Sequence, residues 1–371
     1  MIRREGMGRA GHQIHRRDNY DPKREGKLNV DHLNILQQVV PELENLLKRR
    51  YSLLKAIENL APVGRRNLAS QINCSERVIR GELEFLRELG FVYSSPAGVE
   101  LSEQGRKVLE MLQVMVRGFH NLDSLEATLA ACLGVPRMII VPGDSYRDPN
   151  VKENLAAVTA RYLQEVLQEG DILAVTGGTT LAQVADSLPL KGKEREITVV
   201  PVRGGLGEDI KIQANSIAVR MAEGLGGSYR LLHAPEIVLP CNLDQILNEP
   251  RIREVIALGR RANILLHGIG TAEEMAKRRD LDDETIMQLI ADGAVGEAFG
   301  YYFDSQGRNV YSTTSLGLRL KDLEGIPLVV TVGGGSNKAW AVLAVLSRGY
   351  CDVCITDEGV ARRLMTLKEI K

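Results

Sequence analysis

The chain has 371 residues, 44% of them hydrophobic and 26% charged, with a net charge of −1 and a mean hydropathy of −0.11. That length exceeds one ordinary domain and suits two or three of roughly 100 to 200 residues each, with enough apolar content for a core in each. The longest uninterrupted apolar run, AWAVLAVL at 339–346, is far short of the roughly 20 residues of a membrane span. The charged start, MIRREGMGRAGHQIHRR, has no apolar core of the kind a secretory signal needs, so a soluble, cytoplasmic protein without a membrane partner is expected.

Residues 1–30 are rich in Gly, Arg, Asn and Asp, lack apolar periodicity, and read as a disordered basic tail. From Asp31 a helical pattern sets in. Leu33, Leu36, Val40, Leu43 and Leu47, then Leu53, Leu54, Ile57 and Leu60, recur at three- and four-residue steps, with Pro41 expected to kink or divide the stretch.

Residues 61–105 carry a denser signal. A short helix over 66–72 and a turn at Asn73 and Cys74 lead to a second helix opened by Ser75, a favourable N-cap. On that second helix Ile79, Leu83 and Leu86 share a face, while Glu76, Arg77 and Arg80 project from the other side near its start. A hairpin, FVYSSPAGVELS, follows in the place of a wing. This order predicts a winged helix-turn-helix over 31–102 that reads double-stranded DNA. Arg77 and Arg80 are aimed at base edges beside Ser75 and Glu76, and Arg65 and Arg66 at backbone phosphates. The competing reading is an ordinary amphipathic helix pair with solvated charges, and the wing weighs against it. Charge agrees with a polyanion partner: residues 1–118 hold 20 Lys and Arg against 15 Asp and Glu, whereas 119–371 hold 27 against 33.

Residues 103–135 read as a linker helix with Leu109, Leu112, Val116, Phe119, Leu122, Leu125 and Leu129 near a heptad seam that slips at Leu122. It suits pairing with a second copy, as a dimeric DNA reader requires, and equally suits packing against its own body.

From Pro136 the chain turns α/β. MIIVPGD, DILAVTGG, ITVVPVRGGLG, ANILLHGIG, PLVVTVGGG and CDVCITDEG alternate with helical segments, the rhythm of a parallel sheet whose ligands sit beyond the carboxyl ends of its strands. CDVC is the one C-x-x-C among five cysteines. It has no second metal-ligand pair, and as a strand it should send its two thiols to opposite faces. No metal site is therefore expected.

The most informative loop is TGGTT. An apolar strand runs into Gly177, Gly178, Thr179 and Thr180 at a helix start, where close backbone approach, unpaired N–H groups and the helix dipole together suit a phosphate. Dinucleotide and P-loop templates fail: Glu273 replaces the third glycine of HGIGTAEE, and no G-x-x-x-x-G-K-[ST] occurs. A smaller phosphate ester remains, with Arg203 and Lys338 as cations at the ends of other strands and Glu297 as an acceptor for sugar hydroxyls. Surface salt bridges are the plainer account of these three residues. An enzyme on the same scaffold, a sugar-phosphate isomerase or deaminase, would draw its acid and base from His267, Glu297 and Asp357.

Taken in order, SERVIRGELEFLRELG, VPGD, TGGTT, PVRGGLG, HGIGTAEEMAKRRD, GAVGEAFG and TVGGGSNKAWAVLAVLSRG resemble the SorC family of sugar-responsive bacterial transcription regulators over about 32–371. The resemblance implies a winged helix-turn-helix joined by a linker helix to a Rossmann-like sugar-binding domain over 136–371. That domain would be similar to sugar-phosphate isomerases, ribose-5-phosphate isomerase and CoA transferases, without catalysis. It further implies a repressor of a glycolytic operon, induced by fructose 1,6-bisphosphate, with no other cofactor, acting as a dimer or as a tetramer on DNA. The effector residues it implies are Gly177, Gly178, Thr179, Thr180, Arg203, Gln213, Arg278, Glu297 and Lys338, with Arg279 a rival to its neighbour Arg278.

Overall fold

The structure, a computed structural model, describes residues 39–72, 74–190, 192–205, 209–238 and 240–369. The tail expected over 1–30, the first repeats Leu33 and Leu36, and the turn residue Asn73 lie outside them. The described chain divides into two compact units, one ending at Ser124 and the other starting at Leu125.

In the first unit, helix α1 (Pro41–Leu60) is opened by Pro41 and not divided by it. The first position of a helix is where a missing N–H costs nothing. Helices α2 (Arg65–Gln71) and α3 (Glu76–Glu88) follow, and the Ser75 side chain accepts from the Val78 N–H to cap α3. Strands β1 (Val92–Ser95) and β2 (Gly98–Leu101) pair as an antiparallel hairpin, and Val99 is bridged to Val63 ahead of α2. Ile79, Leu83 and Leu86 face a core shared with Leu53, Leu54 and Ile57, as their spacing predicts. Glu82 is buried on α3 and takes ion pairs from Arg49 and Arg50 of α1, which tie the two helices together.

The helix expected over 103–135 is two helices, α4 (Glu103–Phe119) and α5 (Leu122–Leu133). Asn121 between them has φ 51°, a left-handed conformation that ends a helix, and this is where the heptad seam slips. Leu109 and Val116 of α4 are buried in the core of the first unit against α1. The α4 half of the seam is thus occupied by the chain's own helices.

The second unit is built on a seven-stranded parallel sheet in the order β3-β13-β12-β7-β4-β5-β6. Its strands are β3 (Arg137–Val141), β4 (Ile172–Val175), β5 (Thr198–Pro201), the two-residue edge β6 (Ser228–Tyr229), β7 (Ile264–Gly268), β12 (Leu328–Val332) and β13 (Val353–Asp357). Helices α6 (Pro149–Val166), α7 (Thr179–Asp186) and α8 (Ala214–Leu225) cover one face and bury Ile139, Leu173, Val199, Leu266, Val330 and Ile355. The alternating residues Ile140, Ala174, Val200, Leu265 and Val329 are buried on the other face, where α10 (Pro250–Arg260), which follows α9 (Pro240–Leu247), packs on β4 and β5. Burial on both faces is why these strands read as unbroken apolar runs.

A second sheet is not visible in the α/β rhythm. Strands β8 (Gly270–Thr271), β9 (Ala294–Ala298), β10 (Tyr301–Asp304) and β11 (Asn309–Ser312) form an antiparallel sheet in the order β11-β10-β9-β8. Helices α11 (Ala272–Arg278) and α12 (Asp283–Ala291) share its small core around Tyr302 and Leu289. Helix α13 (Ala339–Leu346) packs on β9, where Gly296 lets the Ala341 backbone come close. Helix α14 (Glu358–Leu367) closes the chain.

Candidate functional site

The order in which strands are added reverses between β4, which leads to β5 and β6 on one side, and β7, which leads to β12 and β13 on the other. A cleft of about 840 Å³, counting its open mouth, lies beyond the strand ends at that reversal, the place where open parallel sheets bind ligands. Gly177, Gly178, Thr179, Thr180, Arg203, Gln213, Arg278, Glu297 and Lys338 all line it, brought from the ends of β4, β5 and β12 and from α11 and β9.

The TGGTT loop is shaped by its two glycines. Gly178 caps α7 with φ 127°, a conformation that side chains avoid, and a Cβ on Gly177 would stand 2.8 Å from the Ile212 carbonyl oxygen. The Gly178 N–H is spent on that same carbonyl, and the first intrahelical bond runs from Ala182 to Gly178. The amides of Thr179, Thr180 and Leu181 therefore precede any intrahelical acceptor and form the anion-seeking end of the helix. Three cations surround this end. Lys338 pairs with Glu274 at 3.5 Å, Arg278 lines the cleft half-buried, and Lys152 of α6 donates from Nζ to Thr179 Oγ1 at 3.3 Å. Burial, and then the Lys338 and Arg278 charges, lower the Lys152 pKa against the pull of Glu274.

The other end of the cleft is a buried ionic network. Arg203 donates to Glu236 and to the Phe299 carbonyl, Arg279 donates from Nη2 to Glu297 Oε1 at 2.9 Å, and Arg279 Nε stands 3.6 Å from Glu236 Oε1. All four side chains are at most 7% exposed. Burial alone would favour a neutral Arg279, but Glu297 and Glu236 raise its pKa. Arg203 is thus not a solvent-facing counter-charge waiting at a strand end, as its place in the sequence suggests. A carboxylate already holds it. Glu297 likewise receives Arg279 and the Gly300 N–H. Of the neighbours at 278 and 279, Arg279 is the buried one, yet both reach the cleft. Lys152 and Glu236 lie outside the loop motifs, and only the fold brings them to or behind the cleft, while Glu274 closes the HGIGTAEE motif, where its type does not single it out.

The acid–base alternative finds its residues apart. Only Glu297 lines the cleft. Asp357 accepts from the Ser145 N–H and hydroxyl, the Gly335 N–H and the Val360 N–H, so it ties loops together. His267 is 3% exposed, with Nδ1 at 3.1 Å from the Gly268 carbonyl and Nε2 at 2.7 Å from Thr331 Oγ1, and burial pushes its pKa down to about 4. The CDVC thiols also differ from expectation. Cys351 lies ahead of β13, so strand alternation does not separate it from Cys354, and a hydrogen bond between the two thiols, together with burial, raises the Cys354 pKa.

In the first unit Arg65, Arg66, Ser75, Glu76, Arg77 and Arg80 are all exposed around the α2–α3 turn. Arg66 pairs with Glu76 and Arg80 with Glu84, each at 3.4 Å. Such exposed pairs contribute little and give way readily to a phosphate or base.

Comparison with known proteins follows the same division. Residues 46–116 match the CggR N-terminal DNA binding domain, and residues 117–366 match the sugar-binding domain family Sugar-bind. The central glycolytic genes regulator of Bacillus subtilis is 39% identical over 329 residues, 89% of this chain and 97% of that protein. Its counterpart in Priestia megaterium is 36% identical over 334 residues, 90% and 98% of the two chains. The crystal structure of a SorC family transcriptional regulator from Enterococcus faecalis matches with a TM-score of 0.61 at 39% identity, over 65% of this chain and 99% of that one. The full-length sorbitol operon regulator SorC from Klebsiella pneumoniae shares the fold with a TM-score of 0.59 at 16% identity, over 92% of this chain and all of that one.

Proposed function

This chain belongs to the SorC family of transcriptional regulators, and from that footing we propose that it represses glycolytic genes until fructose 1,6-bisphosphate occupies the cleft of its sugar-binding domain. It carries a DNA-binding domain ahead of that sugar-binding domain, and no described helix is long and apolar enough to cross a membrane.

The observation that carries the effector reading is the convergence of the α7 N-terminus, Lys338 and Arg278 in one cleft that also holds Arg203 and Arg279 at its far end. A sugar with a phosphate at each end matches that layout. One phosphate takes the Thr179 and Thr180 amides and hydroxyls with Lys338, and the other competes with Glu236 for Arg203 and Arg279. Glu297 and Gln213 flank the hydroxyls between them. Fixed cations and amide donors of this kind select a phosphorylated ligand over a neutral sugar.

The sugar acts as a signal and is not turned over. Asp357 is spent on loop contacts, and His267 is buried with both ring nitrogens engaged. On DNA, a homodimer, or a tetramer of two such dimers, presents paired reading helices to operator half-sites in the cytoplasm. Effector binding then favours a state with lower operator affinity. A coupling of about 1 to 3 kcal/mol corresponds to roughly 5- to 150-fold, and by reciprocity operator DNA weakens sugar binding by the same factor.

The test is operator titration at fixed salt with and without fructose 1,6-bisphosphate, alongside fructose 6-phosphate and fructose. A weakened or restructured complex with the bisphosphate alone supports the reading. Unchanged affinity and stoichiometry in a protein that binds the sugar overturns it, and turnover of any of these sugars restores the enzyme alternative.

A further inference from the structure

The Lys152 contact to Thr179 has a definite polarity. An ammonium group has three donors and no acceptor, so in the 3.3 Å contact between Lys152 Nζ and Thr179 Oγ1 the hydroxyl oxygen is the acceptor. One lone pair of Oγ1 is thereby committed, and the hydroxyl proton is left to seek an acceptor elsewhere. Thr179 lines the cleft at the helix start, whereas Lys152 stands behind it on α6 and is not among the lining residues.

The charges around this hydroxyl are unbalanced. Lys152, Lys338 and Arg278 lie near enough for the latter two to lower the Lys152 pKa, and the carboxylate facing them is Glu274, half-exposed and 3.5 Å from Lys338. Three cations against one carboxylate leave a local excess of two positive charges, which a phosphate dianion neutralises. A water molecule would satisfy the hydroxyl proton and leave the charge excess untouched.

We propose that Lys152 is a positioning residue for the phosphate held at this end of the cleft: it turns the Thr179 hydroxyl to donate toward the ligand and supplies a cation behind it. The inference rests on the effector reading above and adds to it a residue outside the loop motifs. It also gives the two threonines different tasks. Thr179 is oriented by a cation, and Thr180 has no such partner among the contacts described.

The experiment is a double-mutant cycle on the full-length protein, titrated with fructose 1,6-bisphosphate and, separately, with inorganic phosphate. Lys152→Met and Thr179→Val should each weaken bisphosphate binding about 10- to 100-fold, the range for a charge-assisted hydrogen bond. The double variant should lose about as much as Lys152→Met alone and clearly less than the product of the two single losses, because both remove the same donor to the phosphate while only Lys152→Met also removes the charge. Lys152→Arg, which keeps a donor and a charge, should restore most of the affinity. Inorganic phosphate should follow the same order at weaker absolute affinity, since the interaction is with the phosphate and not with the sugar. The inference falls if Lys152→Met binds the bisphosphate as the wild type does, or if the losses from Lys152→Met and Thr179→Val multiply in the double variant. It also falls if Lys152→Met and Lys152→Arg are equally impaired. A wild type that binds no sugar phosphate overturns the effector reading itself, an outcome distinct from all of these.

Discussion

Arg279 donates to Glu297 at 2.9 Å in a pair less than a tenth exposed, while its chain neighbour Arg278 reaches the same cleft half-buried and outside that network. Two adjacent arginines therefore differ in kind. Replacing Arg279 by Met strands the Glu297 carboxylate and half of the Glu236 counter-charge in a dry site, which should cost about 3 to 5 kcal/mol of stability. Arg278→Met should fall within about 0.5 kcal/mol of wild type while weakening bisphosphate binding. Urea unfolding of each variant, paired with sugar-phosphate titration, checks this. Equal destabilisation by the two substitutions would refute the distinction.

Thr180→Asp offers a cleaner test of the cradle than an alanine does. It places a carboxylate among the Thr179–Leu181 amides, where the proposed phosphate belongs, without changing the backbone that Gly177 and Gly178 shape. The sugar response should be abolished and operator binding retained, since the reading helix lies in the other compact unit. An intact sugar response would refute the assignment, whereas loss of both in a gel-shift assay would indicate misfolding.

The parts of the molecule legible in the sequence are those governed by local rules. Ser75 caps its helix, the wing follows, and six apolar runs become six strands of the parallel sheet, because short range and burial on both faces leave a periodic mark. The cleft loops were legible for the same reason, since a glycine at a strand end is a local event. Lys152, Glu236 and Glu274 leave no such mark. Lys152 and Glu236 sit on a helix and an irregular segment outside any loop motif and reach the site through topology, Lys152 only behind the cleft; Glu274 lies inside HGIGTAEE but its type gives no sign of a pairing with Lys338. The break at Asn121 lies between. The seam's slip at Leu122 gave a hint, but the packing of α4 on α1 is a tertiary fact. Arg203 shows the converse. A loop cation in sequence reads as available, and its buried partner Glu236 lies 33 residues away.

For the DNA-reading surface, two classes of arginine should separate by salt. Arg65→Ala removes a candidate phosphate contact and should weaken binding to any duplex, lowering the slope of log affinity against log salt by about one. Arg77→Ala removes a candidate base contact and should cost about 1 to 3 kcal/mol on the operator with little change on unrelated DNA. Both residues are exposed and outside the core, so folding should be unaffected. Identical salt slopes and identical losses on specific and random duplexes would show that the helix pair does not read sequence in this way.

His267 makes the sugar-binding unit sensitive to mild acid in a defined window. Its folded pKa of about 4 lies below the ordinary histidine value of 6.5 because burial of the ring outweighs its contact with the Gly268 carbonyl. Above pH 6.5 the ring is neutral in both states and contributes no pH dependence. As pH falls from about 6.5 toward 4 the unfolded chain takes up a proton that the folded one refuses, so stability is lost through this window and no further below it. The integrated loss is about 3 kcal/mol for a group this completely buried. His267→Gln keeps a polar group opposite Thr331 and removes the titration, so its unfolding midpoint in urea should fall less steeply than wild type between pH 6.5 and 4.5. Parallel midpoint curves for the two proteins across that range would mean that His267 is not the group responsible; Asp144, whose depressed pKa places its own loss below this window, would not account for it either.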